Sequence, residues 1–281
     1  MIYHITTETA WHQALIARVY QPESLKTEGF IHCSDHWQIE ATANRFYAQT
    51  PDLIVLEIDP DQVAAKIVYE NLEGGETLFP HIYGSLDPEA VLSTFRFDRL
   101  PDGRLVLPEE RRSPKPSLLS EFPIGTPGKL FRSPTPGSRM FDPRDQVLEL
   151  YKQNAIQTVV VLNDRAEHLR HTGRDLLERY QQAGLRVIYA PVPDFSAPQP
   201  GYWDQALEET IEALQNGENT VVHCHAGVGR TGMFTALLAS ALLGLDADAA
   251  VSWVRASLPQ AIDTHNQKTY VRDEIARKVS G

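Results

Sequence analysis

The ten residues HCHAGVGRTG, at positions 223–232, combine a cysteine, two loop glycines and an arginine. Five residues separate Cys224 from Arg230, and the glycines allow the backbone between them to curl closely around a ligand. A helix that begins at about Arg230 would direct backbone N–H groups and a partial positive charge towards an anion. This environment is expected to stabilise the Cys224 thiolate, and the Arg230 guanidinium can bind two phosphate oxygens at once. The stretch therefore predicts a cysteine nucleophile inside a phosphate-binding loop. The predicted phosphate-binding residues are His225, Ala226, Gly227, Val228, Gly229 and Arg230.

The elements that must position this loop are a buried strand before it and a helix after it. NTVVHC is an apolar, β-branched run that ends at Cys224, and TVVVL and LRVIYAPV are similar runs earlier in the chain. Helical stretches alternate with these strands, and we predict a helix start at Asp142-Pro143 and helices over Thr172–Ala183 and Trp203–Gln215. The alternation predicts an α/β fold with a mostly parallel central sheet flanked by helices. Active crevices of such sheets lie at the carboxyl ends of strands, where Cys224 is expected.

HCHAGVGRTG matches the signature HCxxGxxRTG of the cysteine-dependent protein-tyrosine phosphatase superfamily and most resembles its dual-specificity branch. The resemblance extends from about Phe122 to the C-terminus. It implies a phosphoric monoester hydrolase that forms a cysteinyl-phosphate intermediate. It also implies that an aspartate on a mobile loop, about thirty residues before the cysteine in the smaller branches, protonates the leaving group. Asp194, in PVPDFSAP, occupies that position.

Three further residues are assigned supporting roles. The Thr231 hydroxyl is expected to donate to the departing thiolate, and His223 is expected to order the loop by hydrogen bonding. PQAIDTHNQ resembles the superfamily segment whose glutamine orients the hydrolytic water, which makes Gln267 the candidate; a helix-face glutamine without that role is the alternative. The phosphatase is expected to need no metal or other cofactor. Because Asp194 must be protonated while Cys224 is ionised, activity should be bell-shaped in pH.

The substrate prediction stays open between phosphotyrosine, phosphoserine or phosphothreonine in proteins, and a small phosphate ester. Phosphoinositide-directed relatives often carry lysines inside the loop, where this chain has His225 and Val228. PVPDFSAP also resembles the loop of kinase-associated phosphatases, which identifies no kinase partner. The alternative from a different class is a phosphate-binding adaptor with little turnover. The joint presence of Cys224, Arg230 and Asp194 favours an enzyme.

Composition limits the classes of function. The 281 residues are 42% hydrophobic and carry a net charge of −11, which argues against nucleic-acid or anionic-membrane partners. Two cysteines provide no disulfide framework, and they fit a reduced, cytoplasmic setting. The N-terminus lacks the pattern of a signal peptide, and the apolar run MFTALLASALLGL is too short to cross a bilayer.

A proline-rich segment, LPEERRSPKPSLLSEFPIGTPGK, predicts two domains, 1–108 and 121–281, joined by a linker over 109–120. Before the linker, YHIT, LIVLEI, KIVYE and VLSTFRF are predicted strands. Helices are predicted over Thr7–Arg18 and after Ser34-Asp35, whose side chains would cap a helix that buries Ile39, Ala43 and Phe46 on one face. Strands with few helices predict an α+β module.

The motifs EGFIHCSD and FPHIYG, together with YHIT, resemble a small bacterial domain family of unknown function that has the ADP-ribosyltransferase-like fold. The resemblance implies NAD or ADP-ribose as the ligand of this module, because imidazole and hydroxyl groups can hold a ribose or a pyrophosphate. The alternative is that these side chains are ordinary core or surface polar groups. The sequence lacks the spacings of a closed metal site, and Cys33 is expected to pack in the core. The predicted lining of one pocket is His4, His32, Ser34, His81 and Tyr83.

Overall fold

The computed structural model describes residues 1–72, 78–112, 117–194, 196–262 and 264–280. The chain divides into two compact units, Met1–Ser113 and Pro114–Gly281. Residues 113–116, inside the predicted linker, lie outside the described residues. A short 3₁₀ turn occupies Glu109–Arg111 before them.

The first unit is an α+β arrangement of antiparallel sheets and short helices. Two three-stranded sheets have the strand orders β1-β3-β6 and β2-β5-β4, and β7 and β8 form a small separate ladder. The strands are β1 Ile2–Thr7, β2 Ile31–His32, β3 Leu53–Ile58, β4 Lys66–Glu70, β5 Phe79–Tyr83, β6 Val91–Phe95, β7 Asp98–Arg99 and β8 Leu105–Val106. The helices are α1 Glu8–Ala17, α2 Glu23–Thr27 and α3 Ile39–Phe46.

The core of the first unit is built around β3, which is apolar on both faces. Ile54 and Leu56 pack into one cluster with Trp11, while Leu53 and Val55 pack into another with Ile39. Alternate residues of a strand point to opposite faces, so this central strand buries both of its sides. Thr7 begins α1 by accepting the Ala10 N–H at 3.2 Å, as expected of an N-cap threonine.

The predicted start of the second helix is wrong. Helix α3 begins at Ile39, and Ser34 donates its hydroxyl to Thr42 at 3.2 Å and does not cap the helix. A turn intervenes, because Gln38 Oε1 accepts the Asp35 N–H at 2.7 Å. Ile39 and Ala43 are buried as predicted, but Phe46 ends the helix and is 55% exposed.

The second unit is an α/β layer structure. Its strands are β9 Ser120–Phe122, β10 Leu130–Ser133, β11 Ile156–Val161, β12 Arg186–Tyr189 and β13 Asn219–His223. Its helices are α4 Val147–Gln153, α5 Arg165–Thr172, α6 Leu176–Gln182, α7 Asp204–Gln215, α8 Gly229–Leu243, α9 Ala247–Ser257 and α10 His265–Ser280. The sheet order is β12-β11-β13-β10-β9, with parallel pairing throughout except at β9, which is antiparallel to β10.

The central strand β13 is buried on both faces. Val222 packs with residues of α7, α8 and α9, whereas Val221 packs on the other face with residues of α4 and α6. This burial explains the unbroken apolar run of the strand. In the register of the parallel pairs, Ser133 and Val161 both lie beside His223. The carboxyl ends of three neighbouring strands therefore meet next to Cys224.

Two predicted helix boundaries in this unit are wrong. Asp142 does not begin a helix; its carboxylate accepts the N–H groups of Gly137, Gln146 and Val147, so it closes a turn before α4. The helix predicted over Thr172–Ala183 starts too early: the structure has α6 at Leu176–Gln182 and, before it, α5 at Arg165–Thr172, which was not predicted. Gly173 separates them because it takes a left-handed conformation with φ of +72°.

Helix α8 is the most apolar helix of the unit and packs against the sheet. Its residues Met233 to Ala239 are buried. Within the described residues, no single helix has both the length and the apolar character needed to cross a membrane. Helices α8 and α9 meet those two criteria only when taken together, and the pair is bent by 118°.

Candidate active site

Cys224 lies directly after β13, at the carboxyl end of the sheet. Residues 224–228 form a loop that leads into α8, whose first residue is Gly229. The Cys224 side chain is buried, with 3% exposed. The strand–loop–helix connection predicted from HCHAGVGRTG is therefore present, and it sets the cysteine at a helix N-terminus.

The backbone of the loop is held from the side of β10. Thr135 donates its hydroxyl to Cys224 O at 2.9 Å and its N–H to His225 O at 3.0 Å. Arg132 donates from Nη2 to Ala226 O at 2.9 Å. In a planar trans peptide the carbonyl and the following N–H point in opposite directions. The N–H groups of residues 225–227 therefore turn away from β10, as an anion-binding loop requires.

Gly227 is required at its position by space as well as by conformation. Its φ is +70°, and a Cβ added there would lie 2.0 Å from Ser133 O and 2.4 Å from Arg132 Nη2. A Cβ on Gly229 would lie 2.8 Å from Gln267 Nε2. The two glycines let the loop press against β10 on one side and against the start of α10 on the other.

Arg132, a residue that the sequence analysis missed, supports this loop from beneath. Its side chain is fully buried, and its second anchor is Ser117 O, 2.8 Å from Nη1. Burial lowers the pKa of Arg132 to about 10, and the nearby Cys224 opposes that shift. The guanidinium thus stays charged at neutral pH and adds positive potential beneath the cysteine. A charged residue inside the apolar strand LFRS was the available signal.

Arg230 is held by two carboxylates and a carbonyl. Nη1 donates to Glu167 Oε1 at 2.7 Å and to Val192 O at 2.8 Å. Nη2 donates to Glu167 Oε2 at 2.9 Å and lies 2.9 Å from Asp194 Oδ1. Burial opposes the charge of Arg230, but the neighbouring Asp194, Cys224 and Glu167 outweigh it and raise its pKa. Nε is buried and has no hydrogen-bond partner among the described residues.

Glu167, the second missed residue, orients Arg230 through a bidentate pair. It lies in α5, and its side chain is 7% exposed. A carboxylate that binds both terminal nitrogens fixes the plane of a guanidinium. The Nε–H group of Arg230 then points away from Glu167. The sequence signal was weak, because it depended on a helix that was not predicted.

Asp194 lies in the segment between β12 and α7, and we call its described residues, 190–194 and 196–203, the Asp194 loop. Its carboxyl group is 39% exposed, although one oxygen reaches Arg230. The two ends of the loop are tied together: Trp203 Nε1 donates to Ala190 O at 3.0 Å, and the Tyr202 hydroxyl donates to Pro191 O at 2.9 Å. The loop is thus closed at its base and presents Asp194 over Arg230.

His223 is fully buried beside the cysteine. Its Nε2 lies 2.8 Å from the hydroxyl of Tyr180 in α6. Burial lowers the pKa of His223 to about 3, so the imidazole is neutral at working pH. A neutral ring held by a hydrogen bond can order the loop, as predicted, but it supplies no positive charge to a thiolate.

The two remaining predicted residues differ in their surroundings. Gln267 is 6% exposed, and its amide lies against the loop at Gly229, so the fold brings it to the site. Thr231 is buried, but its Oγ1 has no hydrogen-bond partner among the described residues and is not bonded to Cys224. Its hydroxyl therefore has unused hydrogen-bonding capacity next to the loop.

Aromatic rings flank the loop at His225. The His225 ring stacks on His171 with centroids 3.6 Å apart and planes at 16°, and Phe141 approaches edge-on at 5.1 Å. Burial lowers the pKa of His171 to about 4, and burial likewise lowers that of His225. Both imidazoles are therefore neutral at working pH, and the three rings form a largely uncharged wall beside the site.

This arrangement has the parts needed to transfer a phosphoryl group to sulfur. A buried cysteine lies at a helix N-terminus, a fixed arginine lies beside it, and an aspartate on a closed loop faces that arginine. Together these groups can supply a nucleophile, charge stabilisation for phosphate oxygens and a proton for the leaving group.

In the first unit, the structure brings three of the five predicted residues together. His32, His81 and Tyr83 lie on one face of the β2-β5-β4 sheet around the ring of Phe30, whose centroid is 4.3 Å from that of His81. Glu70 Oε1 accepts from Tyr83 at 2.5 Å and lies 3.1 Å from His81 Nδ1. We call His32, His81, Tyr83 and Glu70 the β5 cluster. It is partly open to solvent, with Tyr83 41% exposed.

His4 and Ser34 do not belong to the β5 cluster. His4 is buried, with Nδ1 2.6 Å from His32 O and Nε2 2.7 Å from the Tyr20 hydroxyl. Burial lowers the pKa of His4 to about 4, so the ring is neutral and Nδ1 donates to the carbonyl. Ser34 is buried against Thr42, and burial raises the pKa of the Cys33 thiol. His4 and Ser34 are packed in the core, and of the two only Ser34 is close to His32 in sequence.

Within the described residues of both units, no group of three or more histidine, cysteine, aspartate or glutamate side chains has an arrangement that could hold a metal ion.

Comparison with known proteins separates the two units in the same way. Residues 5–94 match the model of a protein family of unknown function, DUF952. Residues 137–246 match a family described as a polymorphic toxin system, DSP-PTPase phosphatase.

Relatives of the second unit are phosphatases or bear kinase-related names. Mouse cyclin-dependent kinase inhibitor 3 is 29% identical over 152 residues, which cover 52% of this chain and 72% of the relative. Its rat counterpart is 33% identical over 106 residues, and the match spans 50% of the relative. The solved structure of kinase associated phosphatase, with serine in place of its catalytic cysteine, is 25% identical with a TM-score of 0.51. It aligns with 58% of this chain and 98% of its own.

Proposed function

We propose that the second unit, a cysteine-based phosphatase of the dual-specificity type, hydrolyses phosphotyrosine and phosphoserine or phosphothreonine in proteins. The proposal assigns Cys224 as nucleophile, Arg230 and the loop amides as the phosphate-binding groups, and Asp194 as general acid. Thr231 and Gln267 assist the hydrolysis of the cysteinyl phosphate, and His223 orders the loop.

The observation that carries the proposal is the set of groups that contact the Arg230 guanidinium. Glu167 occupies one edge of the guanidinium, Asp194 contacts Nη2, and Nε has no partner among the described residues. A phosphate dianion binds bidentately to the Nε–Nη2 edge of an arginine. The Asp194 carboxylate therefore lies where one phosphate oxygen would bind. A bound phosphate ester would displace that contact and leave Asp194 next to the ester oxygen.

In the first step, the Cys224 thiolate attacks phosphorus. The S–P bond forms as the bond from phosphorus to the leaving oxygen breaks, and the Asp194 carboxyl proton moves to that oxygen. In the second step, water attacks phosphorus and passes a proton to the Asp194 carboxylate, the S–P bond breaks, and inorganic phosphate leaves. The Thr231 hydroxyl, which lacks a partner among the described residues, can donate to the sulfur as negative charge returns to it. Arg230 and the loop amides hold the equatorial oxygens in both steps.

The wall beside the loop supports a protein side chain as the leaving group. His225 stands at one of the positions where an inositide-directed loop carries lysine, and the rings of His171 and Phe141 flank it. An uncharged aromatic wall suits the apolar ring of phosphotyrosine better than a polyphosphorylated headgroup. Both cysteines are free thiols, which suits a reduced compartment such as the cytoplasm.

The direct test is a panel of phosphotyrosine, phosphoserine and phosphothreonine peptides, together with small sugar and nucleotide monophosphates. We expect phosphate release from the peptides, with kcat/KM for phosphotyrosine at least about 10-fold above that for the small esters. Selective turnover of one small ester would reassign the substrate to a metabolite. Tight binding of the peptides without phosphate release would instead identify an adaptor.

We also propose that the first unit has the ADP-ribosyltransferase-like fold and binds NAD or ADP-ribose at the β5 cluster. The supporting observation is an open face that combines a carboxylate, Glu70, with the Tyr83 hydroxyl and two imidazoles. A carboxylate can accept hydrogen bonds from both hydroxyls of a ribose, and the nearby rings provide a surface for a planar base.

Calorimetry of the full chain with NAD and with ADP-ribose tests this assignment. We expect saturable heat for at least one ligand, and a Kd raised about 10-fold or more by Tyr83→Ala, which removes a partner of Glu70. His12→Ala is the matched control, because His12 is an exposed histidine on α1. Equal heats for the wild type and Tyr83→Ala would place the ligand elsewhere, and no heat for either ligand would reject the assignment.

A further inference from the structure

We propose that Glu274 of α10 is a positioning residue that fixes the Asp194 loop in its closed form. The inference rests on the proposed phosphatase function and extends it to a helix far along the chain from the loop. Glu274 Oε1 accepts the backbone N–H of Gly201, near the end of the Asp194 loop, at 3.1 Å. Its side chain is only 3% exposed.

A buried carboxylate needs charged partners, and Arg277 provides them. Arg277 donates from Nη2 to Glu274 at 2.8 Å and to Asp204 at 2.6 Å, and Lys278 Nζ lies 2.9 Å from Asp204. Glu274 is thereby joined to the first residue of α7, directly after the Asp194 loop. Removing a partner from the buried Glu274 carboxylate is costly, which favours a fixed geometry at this end of the loop.

Gly201 is a suitable point for such an anchor. Its φ is +77°, and a Cβ added there would lie 3.3 Å from Asp204 Oδ2. The backbone therefore turns sharply and close to the carboxylate of Asp204. The hydrogen bond to Glu274 holds the N–H at this turn, while Trp203 Nε1 closes the base of the loop on Ala190.

One side of α10 contacts both the phosphate-binding loop and the Asp194 loop. Gln267, Tyr270 and Glu274 are spaced by three and four residues, so they lie on one side of the helix. Gln267 contacts the phosphate-binding loop at Gly229, the Tyr270 ring lies 5.7 Å from that of Trp203, and Glu274 holds Gly201. The helix thus sets the Asp194 loop in register with the phosphate-binding loop.

Loss of the anchor is expected to affect proton donation more than phosphate binding. The anchor lies seven residues from Asp194 and holds the loop through the backbone of Gly201. A displaced acid slows the departure of a poor leaving group strongly and that of a good leaving group weakly. Dependence on the leaving group therefore distinguishes a positioning role from general destabilisation.

The experiment compares kcat for p-nitrophenyl phosphate and for phenyl phosphate in the full chain. Glu274→Ala should lower kcat for phenyl phosphate about 10-fold and that for p-nitrophenyl phosphate about 2-fold or less. Inhibition by orthovanadate should be unchanged. Glu274→Gln keeps an oxygen that can accept from Gly201 and should recover most of the phenyl phosphate activity. Arg272→Ala is the matched control, since Arg272 is an exposed residue of the same helix.

An equal fall for both substrates in Glu274→Ala would overturn the inference, as would wild-type kinetics. If Glu274→Ala fails to fold, Asp204→Asn loosens the same network from its more exposed side and should show the same selectivity in weaker form. The double variant Asp194→Asn/Glu274→Ala should be no slower with phenyl phosphate than Asp194→Asn alone. If Asp194→Asn shows no such selectivity, the assigned acid is wrong, which is a separate failure from that of Glu274.

Discussion

Replacing Cys224 by serine is expected to lower kcat for p-nitrophenyl phosphate by at least about 10⁴-fold. A serine hydroxyl in this loop is a far weaker nucleophile than a thiolate. The measurement is the initial rate of p-nitrophenol release under saturating substrate. Because Cys224→Ser leaves Arg230 and the loop amides in place, binding of phosphate analogues should persist in the variant, which separates loss of chemistry from loss of fold.

The chain offers a matched control in its other cysteine. Cys33 is also buried and free, but it lies in the core of the first unit, where burial raises its thiol pKa. Cys33→Ser should therefore leave phosphatase activity within about 2-fold of wild type. Comparable activity in Cys224→Ser and wild type would reject the cysteinyl-phosphate mechanism. A fall caused by Cys33→Ser would instead indicate that this thiol takes part.

The phosphate-binding loop was predicted from one contiguous segment of the sequence, whereas the two residues that were missed lie far from that segment in the chain. The loop from Cys224 to Arg230 is contiguous, so its spacing, its glycines and the strand before it could be analysed together. Glu167 contacts Arg230 from 63 positions away, on a helix that the apolar periodicity did not reveal. Arg132 is similar, because its role depends on β10 lying parallel to β13, which no local pattern specifies.

In the first unit, too, local sequence patterns did not predict which side chains lie together. Strands β1, β3, β4 and β6 were predicted from apolar, β-branched runs, but β2 and β5, which carry His32 and His81, were not, and neither was the grouping of the histidines. In the register of β2 with β5, His32 lies beside His81, whereas Ser34 lies beyond the end of β2, where it pairs with Tyr3 and is buried. His4 is separated from them because its ring is used to bind a backbone carbonyl. Only the register of β2 with β5 decides which polar residues meet.

The predicted helix boundaries at Asp142 and Gly173 were wrong for local structural reasons. Asp142 followed by Pro143 has the composition of a helix start, yet its two oxygens bind N–H groups within a turn. Gly173 ends α5 because it takes a left-handed conformation. Both outcomes rest on backbone interactions within a few residues, which composition alone does not specify.

Replacing Asp194 by asparagine is expected to reduce kcat for phenyl phosphate by about 10²- to 10³-fold, with a much smaller effect on p-nitrophenyl phosphate. Asparagine keeps the shape of the side chain but cannot give up a proton to the leaving oxygen. The alkaline fall in the pH profile should flatten, because the group whose deprotonation removes the acid is absent. Rates for both esters across pH are the measurement.

The same variant tests how Asp194 and phosphate share Arg230. Asp194 contacts Nη2, one of the nitrogens proposed to bind phosphate, so a bound anion must displace the carboxylate. Asp194→Asn removes that competition and a nearby negative charge, and orthovanadate should bind at least as tightly as to wild type. Asp248→Asn, at an exposed position on α9, should change neither quantity. Weaker vanadate binding in Asp194→Asn would mean that the carboxylate supports the anion site, and an unchanged leaving-group dependence would remove Asp194 as the acid.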